Sequence, residues 1–223
     1  MMIVAPPSHP PQPDLCNILQ PSYHLALQVV NASMKTTFST CLATPGDLSA
    51  LQTLIPLSVR ALSRSHYTDI QIESAIRHVF GVDTQLIADG TYFVAAVGEG
   101  AGREIIGCGG WSQRRTLYGG DQRKVGEDAL LDPVHEPARI RAFFVHPEWA
   151  RQGVATHLMA PCLQSAHAAG FERLELMATL PGEPLYRAFG FAALERVEAT
   201  LPDGVAIPFV RMGRALSDPG EKS

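Results

Sequence analysis

The chain of 223 residues has no surplus of positive charge, no long apolar run and no closely spaced cysteines, and each lack closes off a class of function. Its 18 Lys and Arg stand against 22 Asp and Glu, a formal charge of −4. Without a global positive field, neither nucleic acid nor an anionic membrane surface is an expected partner. No apolar stretch approaches the roughly 20 residues that span a bilayer. The cysteines, Cys16, Cys41, Cys108 and Cys162, are scattered without a CxxC pair. No metal is therefore expected, and they read as small buried thiols of a reducing, cytoplasmic compartment. No G-x-G-x-x-G follows a strand, which weakens a nucleotide-binding reading. No nucleophile constellation and no internal repeat occurs.

What the chain does contain suits one globular domain of α/β (α+β) type, with 46% hydrophobic residues to build its core. The N-terminus lacks the basic region and apolar core of a secretion signal. Five of its first thirteen residues are proline, so residues 1–34 are expected to form a disordered or polyproline-like leader. Met34 offers an alternative start for the working protein. The domain itself is expected over 35–217, with 218–223 a tail.

Along that domain, 36–43 alternates as a first strand. Leu48, Leu51, Leu54, Ile55, Val59 and Leu62 recur at helical spacing, and Ile72, Ala75, Ile76, Val79 and Phe80 mark a second helix stopped by Gly81. Two strands, 92–97 and 105–112, are joined by a glycine-rich hairpin. Residues 113–138 show neither period and read as a long loop near the acceptor side. The run 140–145 is apolar apart from Arg141, as for a strand covered on both faces. A helix then runs to Ala169 and stops at Gly170, and its interior Pro161 predicts a kink. Strand 173–178, a short helix over PLYRAF and two strands about Pro202-Asp203-Gly204 complete the order β-αα-βββ-α-β-α-ββ. The terminal hairpin offers an edge through which two copies could pair as a homodimer.

The most informative stretch is FFVHPEWARQGVATHLM (143–159). A helix start leaves about four backbone N–H groups unpaired and carries roughly half a positive charge. Arg151, Gln152, Gly153, Val154, Ala155 and Thr156 thus offer a cradle for a pyrophosphate, although an ordinary strand-to-helix turn reads the same way. Thirty residues on, LPGEPLYRAFGF places Tyr186 on a short helix; a buried Tyr equally serves as core packing.

Together, Val145, Pro147, Gly153 and Ala155 with Leu185, Tyr186, Gly190 and Phe191, in this element order, resemble the GNAT superfamily of acyl-CoA N-acyltransferases over about residues 36–216. The resemblance implies acetyl-CoA as co-substrate. It also implies a splay between strands 140–145 and 173–178, into which the pantetheine arm pairs with the backbone of Phe143, Phe144 and Val145. The 151–156 cradle then takes the pyrophosphate, and Tyr186 acts as acid toward the departing thiolate. His66 and Tyr67 fall in the segment that forms the family's acceptor wall. The chain departs from the family's habit at Ala150, Thr179 and Gly182.

Acylating an amine needs a neutral nitrogen, a donor for the developing oxyanion and an exit for the thiolate. Glu175, beside the splay, is the expected base, though a salt-bridged strand residue fits it equally. Arg141 pairs either with an acid group of the acceptor or with a neighbouring carboxylate such as Glu175. The expected activity is direct N-acetyl transfer to a primary amine of a small or peptide-like acceptor. A non-catalytic coenzyme A sensing module on the same fold is the alternative.

Overall fold

Apolar residues at every third or fourth position make Leu48–Leu62 a helix (α1) that buries Leu51, Leu54, Ile55, Ser58 and Val59. In the computed structural model, which describes residues 38–124 and 126–216, α1 is followed by α2 (Asp69–His78). Its capping box is closed by Gln71 N–H donating to Thr68 Oγ1 at 3.2 Å while the Gln71 side chain returns to the Thr68 N–H. Asp83 then starts α3 (Thr84–Ala88) by accepting the Gln85 N–H. This five-residue helix was not foreseen, being too short to show a period. The leader over 1–34 and the tail over 218–223 lie outside the described residues.

Seven strands form one sheet in the order β1-β2-β3-β4-β5-β7-β6. They are β1 (Ser39–Leu42), β2 (Tyr92–Val97), β3 (Glu104–Ser112), β4 (Ala138–Val145), β5 (Arg173–Thr179), β6 (Ala192–Thr200) and β7 (Ala206–Ala215). Only β4 and β5 run parallel; the other neighbours are antiparallel. The remaining helices are α4 (Val154–Ala168) after β4 and α5 (Glu183–Ala188) after β5.

Alternation along the strands splits the core between two faces. Tyr92, Val94 and Cys108 pack with Leu51, Leu54 and Ile55 of α1 and with α2. Ala95 and Ile106 pack with Val154 and Leu158 of α4, while Ile140, Leu174 and Leu176 pack with Met159 and Cys162 of the same helix. α4 lies directly on β3 backbone at Gly107, where an added Cβ would sit 2.7 Å from Val154 Cγ1. α4 also continues through Pro161 as one helix to Ala168, where the sequence predicts a kink.

The segment 113–138 proves to be fastened down. Arg114 binds Asp89 at 2.7 Å and the Asp128 carbonyl at 3.0 Å, and Arg114 bridges Leu130 as an isolated β pair. Gly120 N–H donates to Val79 O and Asp121 N–H to Val82 O, so the loop is stitched to the α2–α3 connection.

Candidate active site

Local irregularities in β4 prepare the site. Ala142 has φ 56, and the β3–β4 register shifts between Cys108 and Gly110. This bulge re-aims the residues that follow. The Phe143 ring lies across Gly109, where a Cβ would come within 2.7 Å of it. His146 N–H donates to Ile106 O of β3 at 2.8 Å, so alternation turns the N–H groups of Phe143 and Val145 to the opposite edge, toward β5.

β5 does not receive them. The two strands pair only at Ala138 with Leu174 and at Arg139 with Glu175. Beyond that point they part around a cavity of about 150 Å³, lined by Ser58 and Val59 of α1, Phe143 to Val145 of β4, Ala155 of α4 and Tyr186 of α5. Ser58 Oγ accepts the Val145 N–H at 3.2 Å. Ser58, not foreseen from the sequence, falls in step with Leu51, Leu54 and Ile55 on the inward stripe of α1, and a polar residue on that stripe is the signal that could have found it.

At the mouth of the splay the chain turns through Pro147–Trp149. Arg151 (φ 65) and Gly153 (φ 85) then adopt left-handed backbone before α4 begins. No side chain caps this helix. The first helical bond is His157 N–H to Gly153 O, and Gln152 N–H reaches Trp149 O at 3.4 Å. Among the described residues, the N–H groups of Arg151, Gly153, Val154, Ala155 and Thr156 have no protein acceptor. Arg151 and Gln152 are exposed. Clustered free amides at the positive end of a 15-residue helix form an anion cradle.

A second, smaller cavity of about 70 Å³ adjoins the first on the side of Arg141, with Tyr118, Gly119 and Gly120 of the long loop in its wall. Phe80, Phe143, Phe144, Thr179 and Tyr186 line both. Tyr186 therefore stands at their junction, edge-on to Phe143 at 6.3 Å and Phe191 at 6.0 Å. Burial pushes its phenol well above the usual value, with Cys162 adding to the shift. It keeps its proton at neutral pH and can act as a donor.

Four expected residues stand differently. Glu175 lines neither cavity. It lies at the closed end of the strand pair, gripped by Arg139 and by Arg211 at 2.8 Å. Two guanidiniums thus engage its carboxylate in an ion-pair cluster that spans β4, β5 and β7. His66 is exposed, its ring bonded to Ser65 Oγ at 2.8 Å. Tyr67 is buried; its hydroxyl donates to Pro208 O at 2.8 Å and accepts from Leu180 N–H at 2.9 Å. It fastens the turn before α5 and is not among the residues that line either cavity. Arg141 is buried and lines the smaller cavity; it does pair with a neighbouring carboxylate, Asp83 at 2.7 Å in place of Glu175, and also binds the Gly119 carbonyl. Neither cavity has a carboxylate or imidazole among its described lining residues.

Residues 59–191 match the profile of the acetyltransferase (GNAT) family. No curated protein sequence matches. Several solved structures share the fold. A GCN5-related N-acetyltransferase from Rhodopseudomonas palustris is 17% identical with a TM-score of 0.56, covering 83% of this chain and 99% of its own. The PaiA N-acetyltransferase of Thermoplasma acidophilum, in complex with coenzyme A, is 12% identical at TM-score 0.52, covering 80% and 98%. The yncA protein of Salmonella typhimurium, solved with its cofactor acetyl-CoA, is 13% identical at 0.50, covering 83% and 97%. With its profile spanning more than half of the sequence and its parallel strands parting beside an uncapped helix, this chain belongs to the GNAT family of acetyltransferases, which use acetyl-CoA as acyl donor.

Proposed function

We propose that the enzyme moves an acetyl group from acetyl-CoA directly to a primary amine of a small-molecule or peptide-like acceptor. The observation that carries this reading is the continuity of three features: the free amides at 151 and 153–156, the splay and the junction at Tyr186. The free amides of Gly153 to Thr156 suit a pyrophosphate, and the β5-facing edge of Phe143 and Val145 suits a pantetheine arm. Acetyl-CoA, when bound, supplies an activated thioester.

This chain's own residues do the rest. The Phe143 N–H, preplaced by the bulge, is a donor for negative charge developing on a carbonyl oxygen in the splay; one such donor is worth about 3 kcal/mol of barrier. Tyr186 Oη holds a proton at the junction and gives it to the departing sulfur. Ser58 Oγ already bonds the Val145 N–H, so it must turn aside when a ligand carbonyl takes that donor. Phe80, Phe144 and Tyr186 exclude water from the junction. The reading places the enzyme in a reducing cytoplasm, where Cys108 and Cys162 remain buried thiols.

A coenzyme A sensing module shares the cradle and also needs no base, so the bare lining of the acceptor side favours it as the second reading. Free-thiol release from acetyl-CoA across a panel of amines separates the two. Acceptor-dependent thiol release supports the enzyme; tight coenzyme A binding without release across the whole panel supports the sensor.

A further inference from the structure

The smaller cavity has a chemical character that simple amine binding does not require. Its walls are largely rings, including Phe80, Tyr118, Phe143, Phe144 and Phe209, and Arg141 is the one charged side chain among the described residues that line it. Arg141 is only 4% exposed. Its Nη2 is held by Asp83 and the Gly119 carbonyl, while its Nε, also buried, has no hydrogen-bond partner among the described residues. Asp83 is fully buried and shared with Lys124, which Asp121 also approaches at 3.5 Å from the half-exposed rim. One buried carboxylate thus serves two cations.

This arrangement disfavours an alkylammonium. Such a cation would enter beside a guanidinium whose nearest carboxylate, Asp83, is already engaged by both Arg141 and Lys124. It would also need to lose a proton at a pKa of about 10 where no side-chain base lines the walls. A carboxylate meets the opposite conditions: a buried N–H lacking an acceptor is uncommon in folded proteins, and the guanidinium fork matches a carboxylate.

We propose, building on the acetyl-transfer reading above, that the acceptor is a weakly basic aromatic amine carrying its own acid group, of the aminobenzoate type. Its ring lies between the aromatic walls, its carboxylate faces Arg141, and its amine points to the junction at Tyr186. An arylamine is already neutral near pH 7, so the bare lining is no obstacle. The exchange balances simply: a nitrogen–hydrogen bond becomes nitrogen–acyl, the sulfur–acyl bond becomes sulfur–hydrogen, and one proton passes from nitrogen to sulfur through Tyr186 and solvent without redox change.

The test compares 4-aminobenzoate, aniline and benzylamine as acceptors of the full chain, by thiol release with saturating acetyl-CoA. For 4-aminobenzoate, kcat/KM is expected to exceed that for aniline by about tenfold or more, the worth of a charge-assisted hydrogen bond. Benzylamine is expected to trail both. The groups facing this space are Tyr118, Tyr186 and Arg141, with Asp83, Lys124 and Asp121 behind the last. None has to accept the amine's proton before attack, so the 4-aminobenzoate rate is expected to stay level from about pH 6 to 9, whereas benzylamine turnover should climb. Arg141→Gln leaves Asp83 its Lys124 partner and should bring the aminobenzoate to aniline ratio within about threefold of one, mainly through KM. The wild-type comparison stands by itself should that variant fail to fold. Benzylamine outpacing 4-aminobenzoate, or equal rates for 4-aminobenzoate and aniline, overturns the inference while leaving acetyl transfer intact. Absence of thiol release with every amine tested, although coenzyme A binds, overturns the proposed function and this inference with it.

Discussion

The two ends of the β4–β5 pair are built from the same strands and obey opposite rules. At the closed end, Glu175 pairs with Arg139 and Arg211 across three strands and the backbones pair in register. At the open end, Phe143 and Val145 turn their N–H groups toward a gap, and the nearest helix start presents amides that nothing among the described residues accepts. Charge with a partner marks structure here; on the proposed reading, the donors of the open end serve a ligand. The sequence suggests the reverse for Glu175, because a lone carboxylate beside a splay looks like a base until its guanidinium neighbours are known.

The comparison breaks most visibly at Gly153. Its φ of 85 disfavours any side chain, and Gly153→Glu also sets negative charge in the anion cradle. Coenzyme A affinity is expected to fall by about a hundredfold or more, read by calorimetric titration. At the junction, Tyr186→Phe should lower kcat by about ten- to a hundredfold with coenzyme A affinity retained, because only proton donation is lost. At the closed end the signature inverts. Glu175→Gln should reduce stability by about 2 kcal/mol in urea unfolding and leave kcat of the folded enzyme within about twofold of wild type.

Tyr67 sharpens the contrast through pH. Burial pushes its phenol up to about 12, against an unfolded value of about 10. The folded state therefore favours the neutral phenol, and this contribution is complete below about pH 10 and is lost as pH rises toward about 12. The melting-temperature difference between wild type and Tyr67→Phe should shrink across that alkaline window. The smallest effect belongs to Ser58. Removing a hydroxyl that competes for the Val145 N–H, as in Ser58→Ala, should tighten coenzyme A binding by about threefold to tenfold.

Much of this was legible before any coordinates. Helical spacing placed α1 and α4, and the apolar run 140–145 marked a strand buried on both faces, because burial leaves a periodic trace. The turn into α4 was legible because Gly153 is a backbone requirement written as a residue. What stayed hidden depends on partners distant in sequence. Arg211 meets Glu175 from β7, Asp83 meets Arg141 from before α3, and Pro208 meets the Tyr67 hydroxyl from β7. The order within 113–138 was hidden for the same reason, since Arg114 and Gly120 are anchored to Asp89 and Val79 rather than to a periodic neighbour.

The central claim is that the amides of residues 151 and 153–156, with those of Phe143 and Val145, are reserved for a bound acyl-coenzyme A. Residue-resolved amide hydrogen exchange with and without saturating coenzyme A measures this directly. The account expects the amides of Gly153 to Thr156 to exchange fast in the free chain and to become protected on binding, while the pairing of Arg139 with Glu175 at the closed end stays unchanged. Amides at 153–156 already protected in the free chain, or unmoved by saturating coenzyme A, would contradict it.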